Sequence, residues 1–344
     1  MNTGSIYQQK ELEKILVGAF KPKEQLKPLP LRRARPKVII ISGPTGCGKT
    51  ELSLFLAQAL RGEVVSADSM QVYRGMDIGT AKATANQRSL IPHHLIDIRN
   101  LREPFNVSDF YSEARHICEK LCSHNVIPII VGGSGFYLHT LLYGPPNGPP
   151  SVPEIRQALE NEAERIGMEH LFHRLQTQDP KYAASITPND RQKVIRALEI
   201  ITLTGDPVSR LPWKERNTSL GYDFRCWFIH RSRANLYTRV EKRCEQMLEH
   251  GLLDEVTRLK GEGLLENPSA AQAIGYRQTL DFLKTDQSEA DYEKFMQEFK
   301  QASRRYVKRQ FTWFKKEKSF QWLDLELHDL ETAVDIIIRD FKRF

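Results

Sequence analysis

The chain has 344 residues, of which 40% are hydrophobic and 27% charged, and carries a formal net charge of +7. That length supplies core material for about two domains, and the absence of any apolar run near ~18 residues excludes a helical membrane span. Five cysteines (Cys47, Cys118, Cys122, Cys226 and Cys244) form no C-x-x-C pair and no evenly spaced framework, which excludes a disulfide scaffold and points to free thiols in a reducing cytosol.

Residues 1–36 read as an extension. Lys21-Pro22-Lys23 through Arg35-Pro36-Lys37 is rich in proline and basic residues without a buried period, so a flexible linker is expected. Glu11, Glu13 and Glu24 argue against a transit peptide, which is poor in acids. Residues 37–149 alternate strand and helix signals: strand 38–42, helix 49–60, strand 64–66, a helix around 108–123, strand 126–131 and helix 134–142. Continuous apolar strands separated by helices predict a parallel α/β sheet with helices on both faces. Its strand ends cluster at one edge, where such sheets bind ligands.

Between the first strand and the first helix lies Gly43-Pro44-Thr45-Gly46-Cys47-Gly48-Lys49-Thr50, a G-x-x-x-x-G-K-T phosphate-binding loop in its proper strand–loop–helix context. Its backbone N–H groups and the helix N-terminus favour an anion. Lys49 is expected to reach a terminal phosphate and the Thr50 hydroxyl to hold Mg²⁺. The motif specifies a bound polyphosphate but not its identity. Asp68 follows the second strand beside this loop, placed either as a helix cap or as an acid/base group. Ordinary phosphate-loop ATPases end a neighbouring strand in a carboxylate. Here strand 126–131 runs instead into Gly132-Gly133-Ser134-Gly135, as if something large passes close to the backbone.

Gly144-Pro145-Pro146-Asn147-Gly148-Pro149-Pro150 breaks the pattern. Residues 150–223 then carry helical signals at 153–165, 168–176 and 189–203, and predict a small all-helical insertion. Strand 224–230 restores the sheet, followed by a basic amphipathic helix at 233–249 with Arg239 and Arg243 on one face. Residues 252–344 are mostly helical by period. Within them, residues 300–318 hold Lys300, Arg304, Arg305, Lys308, Arg309, Lys315, Lys316 and Lys318, with Tyr306, Phe311, Trp313 and Phe314 interleaved. Basic residues with aromatics suit RNA contacts. Trp313 is expected in the core, with part of the basic face toward RNA. His93-His94 has no third ligand and is read as structural, and Cys118 and Cys122 as one buried helix face.

Several stretches together resemble the tRNA dimethylallyltransferases of bacterial type. They are the loop Gly43–Thr50, Asp68-Ser69-Met70-Gln71 through Lys82, Pro92-His93-His94-Leu95, Gly132-Gly133-Ser134-Gly135, Gln192-x-x-x-Arg196, Ala273–Gln278 and Lys308-Arg309-Gln310-x-Thr312-Trp313-Phe314. The resemblance spans about residues 37–325. Cys47 and Ser134 depart from the usual serine and threonine but keep small or hydroxylated side chains. The resemblance implies transfer of a dimethylallyl group from dimethylallyl pyrophosphate to the exocyclic N6 of the adenine just 3′ of the anticodon in tRNAs. It also implies a cytoplasmic monomer that uses Mg²⁺ and grips a tRNA anticodon stem-loop.

Under that resemblance Thr45, Lys49 and Arg239 or Arg243 stabilise the leaving pyrophosphate, and Asp68 takes the proton. Asp68, Ser69, Met70, Gln71, Ser134, Arg156, Gln192 and Arg196, with Arg304, Arg305, Lys308 and Arg309, face tRNA. No cysteine follows Cys244, so the zinc finger often carried by eukaryotic members is not expected. Two enzymatic alternatives stay open: prenyl transfer to free adenine nucleotides, and a nucleoside kinase on the same loop. A third, a nucleotide-driven RNA-binding switch, is distinguished by turnover of ATP without carbon transfer.

Overall fold

The computed structural model describes residues 35–145, 148–211 and 221–343. The extension expected at 1–36 therefore lies outside the described residues, apart from Arg35 and Pro36. The described residues fall into two compact units, one of residues 148–211 and one of residues 35–145 and 221–343.

The larger unit is built on a six-stranded sheet. In chain order the strands are β1 (Lys37–Ser42), β2 (Gly62–Ser66), β3 (His93–His94), β4 (Ile127–Gly132), β5 (Asp223–His230) and β6 (Gln321–Asp324). They are all parallel and lie in the order β3-β2-β4-β1-β5-β6. Four successive β1 residues, Val38, Ile39, Ile40 and Ile41, have no exposed surface. Because successive strand side chains point to opposite faces, the sheet is covered on both sides there. The register pairs Ser42 with Gly132 and Ser66 with Val131, so the loops after β1, β2 and β4 emerge at one edge.

The helices of this unit are α1 (Lys49–Leu60), α2 (Ala85–Leu90), α3 (Val107–Ser123) and α4 (Gly135–Tyr143) before the insertion. Helix α3 starts at a capping box in which Asn106 and Asp109 satisfy each other's backbone N–H groups. The smaller unit contains α5 (Pro153–Ile166), α6 (Met168–Gln178), α7 (Pro180–Ala183) and α8 (Arg191–Thr204). Its own core includes Leu159, Leu171, Leu175, Val194, Ile195 and Leu198. After β5 come α9 (Arg233–Glu249), α10 (Leu252–Gly261), α11 (Pro268–Ala271), α12 (Tyr276–Phe282), the long α13 (Glu289–Phe314) and α14 (Leu330–Lys342).

Helices 49–60 and 233–249 have the predicted bounds and the other helices with predicted bounds differ by one or two residues, whereas the short α2 and α7 are not predicted. Two edge strands escape the sequence reading. β3 is only His93–His94, too short to show alternation, and β6 exposes Gln321 and Trp322 on a stretch read as helical. Trp313 corrects another expectation. It is 39% exposed, while its neighbours Phe311 and Phe314 are buried and fill the core. Trp313 instead stands edge-on to the exposed Phe136 of α4, with ring centroids 6.4 Å apart.

Candidate active site

The loop between β1 and α1 is shaped by its glycines. Gly48 caps α1 at φ 109°, a left-handed conformation that side-chain-bearing residues avoid. Cys47 is buried, and its carbonyl accepts from Arg231 Nε at 3.3 Å. Lys49 Nζ donates to the carbonyls of Gly43 and Pro44, both at 2.8 Å. Thr50 follows on the first turn of α1 and lines the same cavity as Lys49.

Helix α9 brings two arginines onto this loop. Arg239 Nε donates to the Gly46 carbonyl at 2.7 Å, and Arg243 Nη1 donates to the Thr45 hydroxyl at 3.2 Å. The sequence does not choose between them, and both reach the loop. Burial lowers the pKa of Lys49, and the nearby Arg243 charge lowers it further; burial likewise lowers that of Arg243, with the Arg239 charge adding to the effect. Desolvated cations gathered round one cavity are relieved by a bound anion.

Helix α13 contributes Gln310, buried at the sheet edge. Its Oε1 accepts from the Thr45 N–H at 2.9 Å and its Nε2 donates to the Gly133 carbonyl at 3.2 Å. The amide thus ties the loop after β1 to the end of β4. This explains the glycines there. A Cβ on Gly133 would stand 2.2 Å from Gln310 Nε2, and one on Gly135 would stand 2.4 Å from the Trp313 indole. The close approach expected along this stretch is therefore filled by the protein itself: by the Ala67 backbone at Gly132, and by the Gln310 and Trp313 side chains at Gly133 and Gly135.

Asp68 sits just past β2. Its Oδ1 accepts from the N–H of Met70 at 2.8 Å and of Gln71 at 3.4 Å, which fixes the turn. Among the described residues no hydrogen bond engages its Oδ2. Ser66 donates to Gln71 Oε1 at 2.9 Å, and Gln71 Nε2 donates to the Thr80 carbonyl at 3.2 Å. Ser69 and Met70 line the cavity on the far side of Asp68. The pKa of the Tyr306 phenol is pushed up by burial and by the charge of Asp68.

Two cavities meet here. One, of about 730 Å³, is lined by Gly46, Lys49 and Thr50 of the loop, and by Arg239, Lys242 and Gln310. The other, of about 290 Å³, is lined by Ser69, Met70, Val240, Met247, Ile274 and Phe299. Five residues line both: Thr45, Asp68, Thr80, Arg243 and Tyr306. A carboxylate, a hydroxyl and a guanidinium thus stand where the two chambers join. Sequence reasoning found Thr45, Asp68 and Arg243 but missed Gln310, Thr80 and the position of Tyr306. Two signals are available: Thr80 and Gln310 lie in stretches that carry the family resemblance, and Tyr306 and Gln310 are four apart on a helix and so share a face.

The remaining basic candidates are differently engaged. On α13, Arg305, Lys308 and Arg309 are exposed, with Arg309 5.4 Å over the Tyr306 ring. Arg304 pairs with Glu241. In the smaller unit Arg156 donates to Gln192 and pairs with Glu160 at 3.2 Å. Arg196 pairs at 2.7 Å with Glu199, a fully buried carboxylate that also accepts from Ser151 Oγ and the Val152 N–H. His94 Nε2 bonds Glu63 at 2.6 Å, and His93 Nδ1 bonds the Ile91 carbonyl at 2.7 Å while its ring lines the larger cavity.

The family model described as IPP transferase matches residues 71–317. The chain is 55% identical over 332 residues to the tRNA dimethylallyltransferase of Protochlamydia amoebophila (strain UWE25), covering 96% of each. It is 50% identical over 307 residues to that of Chlamydia pneumoniae, covering 89% of each. Among solved structures it resembles the full-length tRNA isopentenylpyrophosphate transferase of Bacillus halodurans, with a TM-score of 0.64 and 37% identity over 89% of this chain and 97% of that one. A eukaryotic dimethylallyltransferase acting on tRNA superposes with a TM-score of 0.71 and 30% identity over 88% of this chain and 78% of that one. With a phosphate loop, a strand-end aspartate and two joined chambers in place, and with relatives this similar over nearly the whole length, the chain belongs to the IPP transferase family.

Proposed function

We propose that the protein transfers a dimethylallyl group from dimethylallyl pyrophosphate to the exocyclic N6 of the adenine just 3′ of the anticodon in tRNA, releasing pyrophosphate. The observation that carries this reading is the placement of Asp68, Thr45 and Arg243 at the junction of the two cavities. The larger cavity, with its loop and desolvated cations, suits the pyrophosphate. The smaller one suits the flipped base, which must leave its stack to react.

In the reaction N6 attacks the allylic carbon, and the carbon–oxygen bond breaks with its electron pair leaving on pyrophosphate. Lys49, Arg243 and the loop N–H groups meet the developing negative charge in a desolvated site, where fixed cations and dipoles act most strongly. The Thr45 hydroxyl accepts from Arg243 and has its own proton to offer the leaving oxygen. The adenine amine is a weak acid that cannot be deprotonated beforehand, and it acidifies only as the nitrogen–carbon bond forms. Asp68 takes the proton then through Oδ2, while the backbone N–H groups of Met70 and Gln71 hold Oδ1 in place.

A hard divalent cation fits the site. Thr50 supplies a hydroxyl beside Lys49, and the described residues offer no dedicated cage of side-chain ligands. Mg²⁺ commonly takes few protein ligands and completes its shell with phosphate oxygens and water. When bound, it adds positive charge at the pyrophosphate. In this reading the larger unit meets tRNA through Ser69, Met70, Gln71 and Ser134 at the channel and Arg305, Lys308 and Arg309 on α13; the helical unit carries Arg156, Gln192 and Arg196 as its own tRNA contacts. Arg304, held by Glu241, contributes less. The enzyme acts as a cytoplasmic monomer.

The test is carbon-label transfer from labelled dimethylallyl pyrophosphate with Mg²⁺ and either bulk tRNA or AMP. Label in tRNA supports the proposal. Label confined to AMP, or ATP consumption without carbon transfer, replaces it with the nucleotide prenyltransferase or the kinase.

A further inference from the structure

Helix α10 places a carboxylate where the site itself has no direct use for one. Glu255 is buried, and four donors converge on it. The N–H groups of Asp77 and Ile78 donate to Oε2 at 3.0 and 2.8 Å. The Gly79 N–H and the Tyr276 hydroxyl donate to Oε1 at 3.2 and 2.6 Å. Three successive backbone donors aimed at one anion form a nest. Here the anion comes from a helix some 176 residues away in sequence.

The loop so held is the one that ends at the junction. Gly79 lies flat on the Tyr276 ring, where a Cβ would stand 2.5 Å from a ring carbon. Thr80, the next residue, lines both cavities and takes the Gln71 amide on its carbonyl. Gln71 in turn receives Ser66 at the end of β2 and gives its N–H to Asp68. A continuous chain of contacts therefore runs from Glu255 through the 77–80 loop to the turn that carries Asp68.

We infer that Glu255 is a positioning residue for prenyl transfer: its carboxylate, backed by Tyr276, clamps the 77–80 loop so that Thr80 and Gln71 hold Asp68 in register at the junction of the two cavities. This inference rests on the transfer reaction proposed above. A carboxylate is required because both of its oxygens accept. Glutamine keeps one acceptor oxygen and turns its NH₂ toward the other set of partners; the Tyr276 hydroxyl can rotate to accept, but at least one backbone N–H of residues 77–79 is left facing a donor. The loop then relaxes, and displacements of about 1 Å at a reacting group cost up to ~10²-fold in rate.

The experiment measures steady-state label transfer by full-length wild type, Glu255→Gln and Tyr276→Phe, with thermal unfolding of each. For Glu255→Gln we expect kcat to fall roughly 10- to 100-fold, with KM for dimethylallyl pyrophosphate and Kd for tRNA within about threefold of wild type. Tyr276→Phe removes one of four donors and should lose less than about fivefold. If Glu255→Gln fails to fold, Gly79→Ala displaces the same loop from the Tyr276 ring and should show the same kcat-selective loss. A folded Glu255→Gln with kcat within about twofold of wild type, or a loss spread equally over kcat, KM and tRNA affinity, overturns the inference. A wild type that transfers no label overturns instead the reaction on which it rests.

Discussion

Gln310→Leu separates the loop after β1 from the end of β4 while nearly conserving volume. The amide makes two contacts, accepting from the Thr45 N–H and donating to the Gly133 carbonyl. Leucine makes neither, and each orphaned buried polar group costs about 1–3 kcal/mol. Thr45 sits on a partly open loop and recovers some solvation, so the sum should lie near 2–4 kcal/mol. For a unit of this size that is roughly a 5–15 °C fall in Tm. The same change frees Thr45, whose hydroxyl is held by Arg243, so KM for dimethylallyl pyrophosphate should rise at least about fivefold while tRNA affinity is unchanged. Calorimetry with steady-state kinetics reads both. A Tm within about 1 °C of wild type and an unaltered KM would mean that Gln310 is not the tie between the two loops.

Asp68→Asn should leave tRNA binding within a few-fold and cut turnover by roughly 10²–10⁴, and unchanged turnover would remove Asp68 as the proton acceptor. Arg305→Glu with Arg309→Glu should weaken tRNA binding and flatten its salt dependence. Arg304→Glu should change the slope less because that side chain is committed to Glu241, and an unaltered slope in the double variant places the face in solvent. Burial lowers the pKa of Lys49, so on raising the pH it loses its proton before an ordinary lysine does, whereas a bound anion stabilises the charged form. Pyrophosphate binding should therefore take up protons at alkaline pH, and its affinity should fall as pH rises through the lowered pKa. Titration calorimetry in buffers of different ionisation enthalpy checks this, and binding without proton uptake refutes it.

What could be read from the chain alone follows from the range of each signal. The run Val38–Ile41 is buried on both faces and announces a central parallel strand, and the glycines and Lys49 behind it announce the loop. Asp68 is visible because a strand ends two residues before it. The edge strands β3 and β6 are not, because short, half-exposed strands carry neither alternation nor a continuous apolar run. Gln310 and Glu255 lie on amphipathic helices at positions that look like ordinary interior or flank residues. Their partners, Thr45 and the Asp77–Gly79 backbone, are far away in sequence, and only the folded sheet edge brings them together. Trp313 misleads for the opposite reason. An aromatic between Phe311 and Phe314 looks like core, yet helical geometry rotates it outward to Phe136.

Nucleoside mapping of tRNA after incubation with this protein, Mg²⁺ and dimethylallyl pyrophosphate tests the proposed transfer most directly. A dimethylallyl group on N6 of the adenine just 3′ of the anticodon, formed by the wild type and nearly lost in Asp68→Asn, is the expected result. Prenylation at another nucleotide, or equal product from Asp68→Asn, would contradict it.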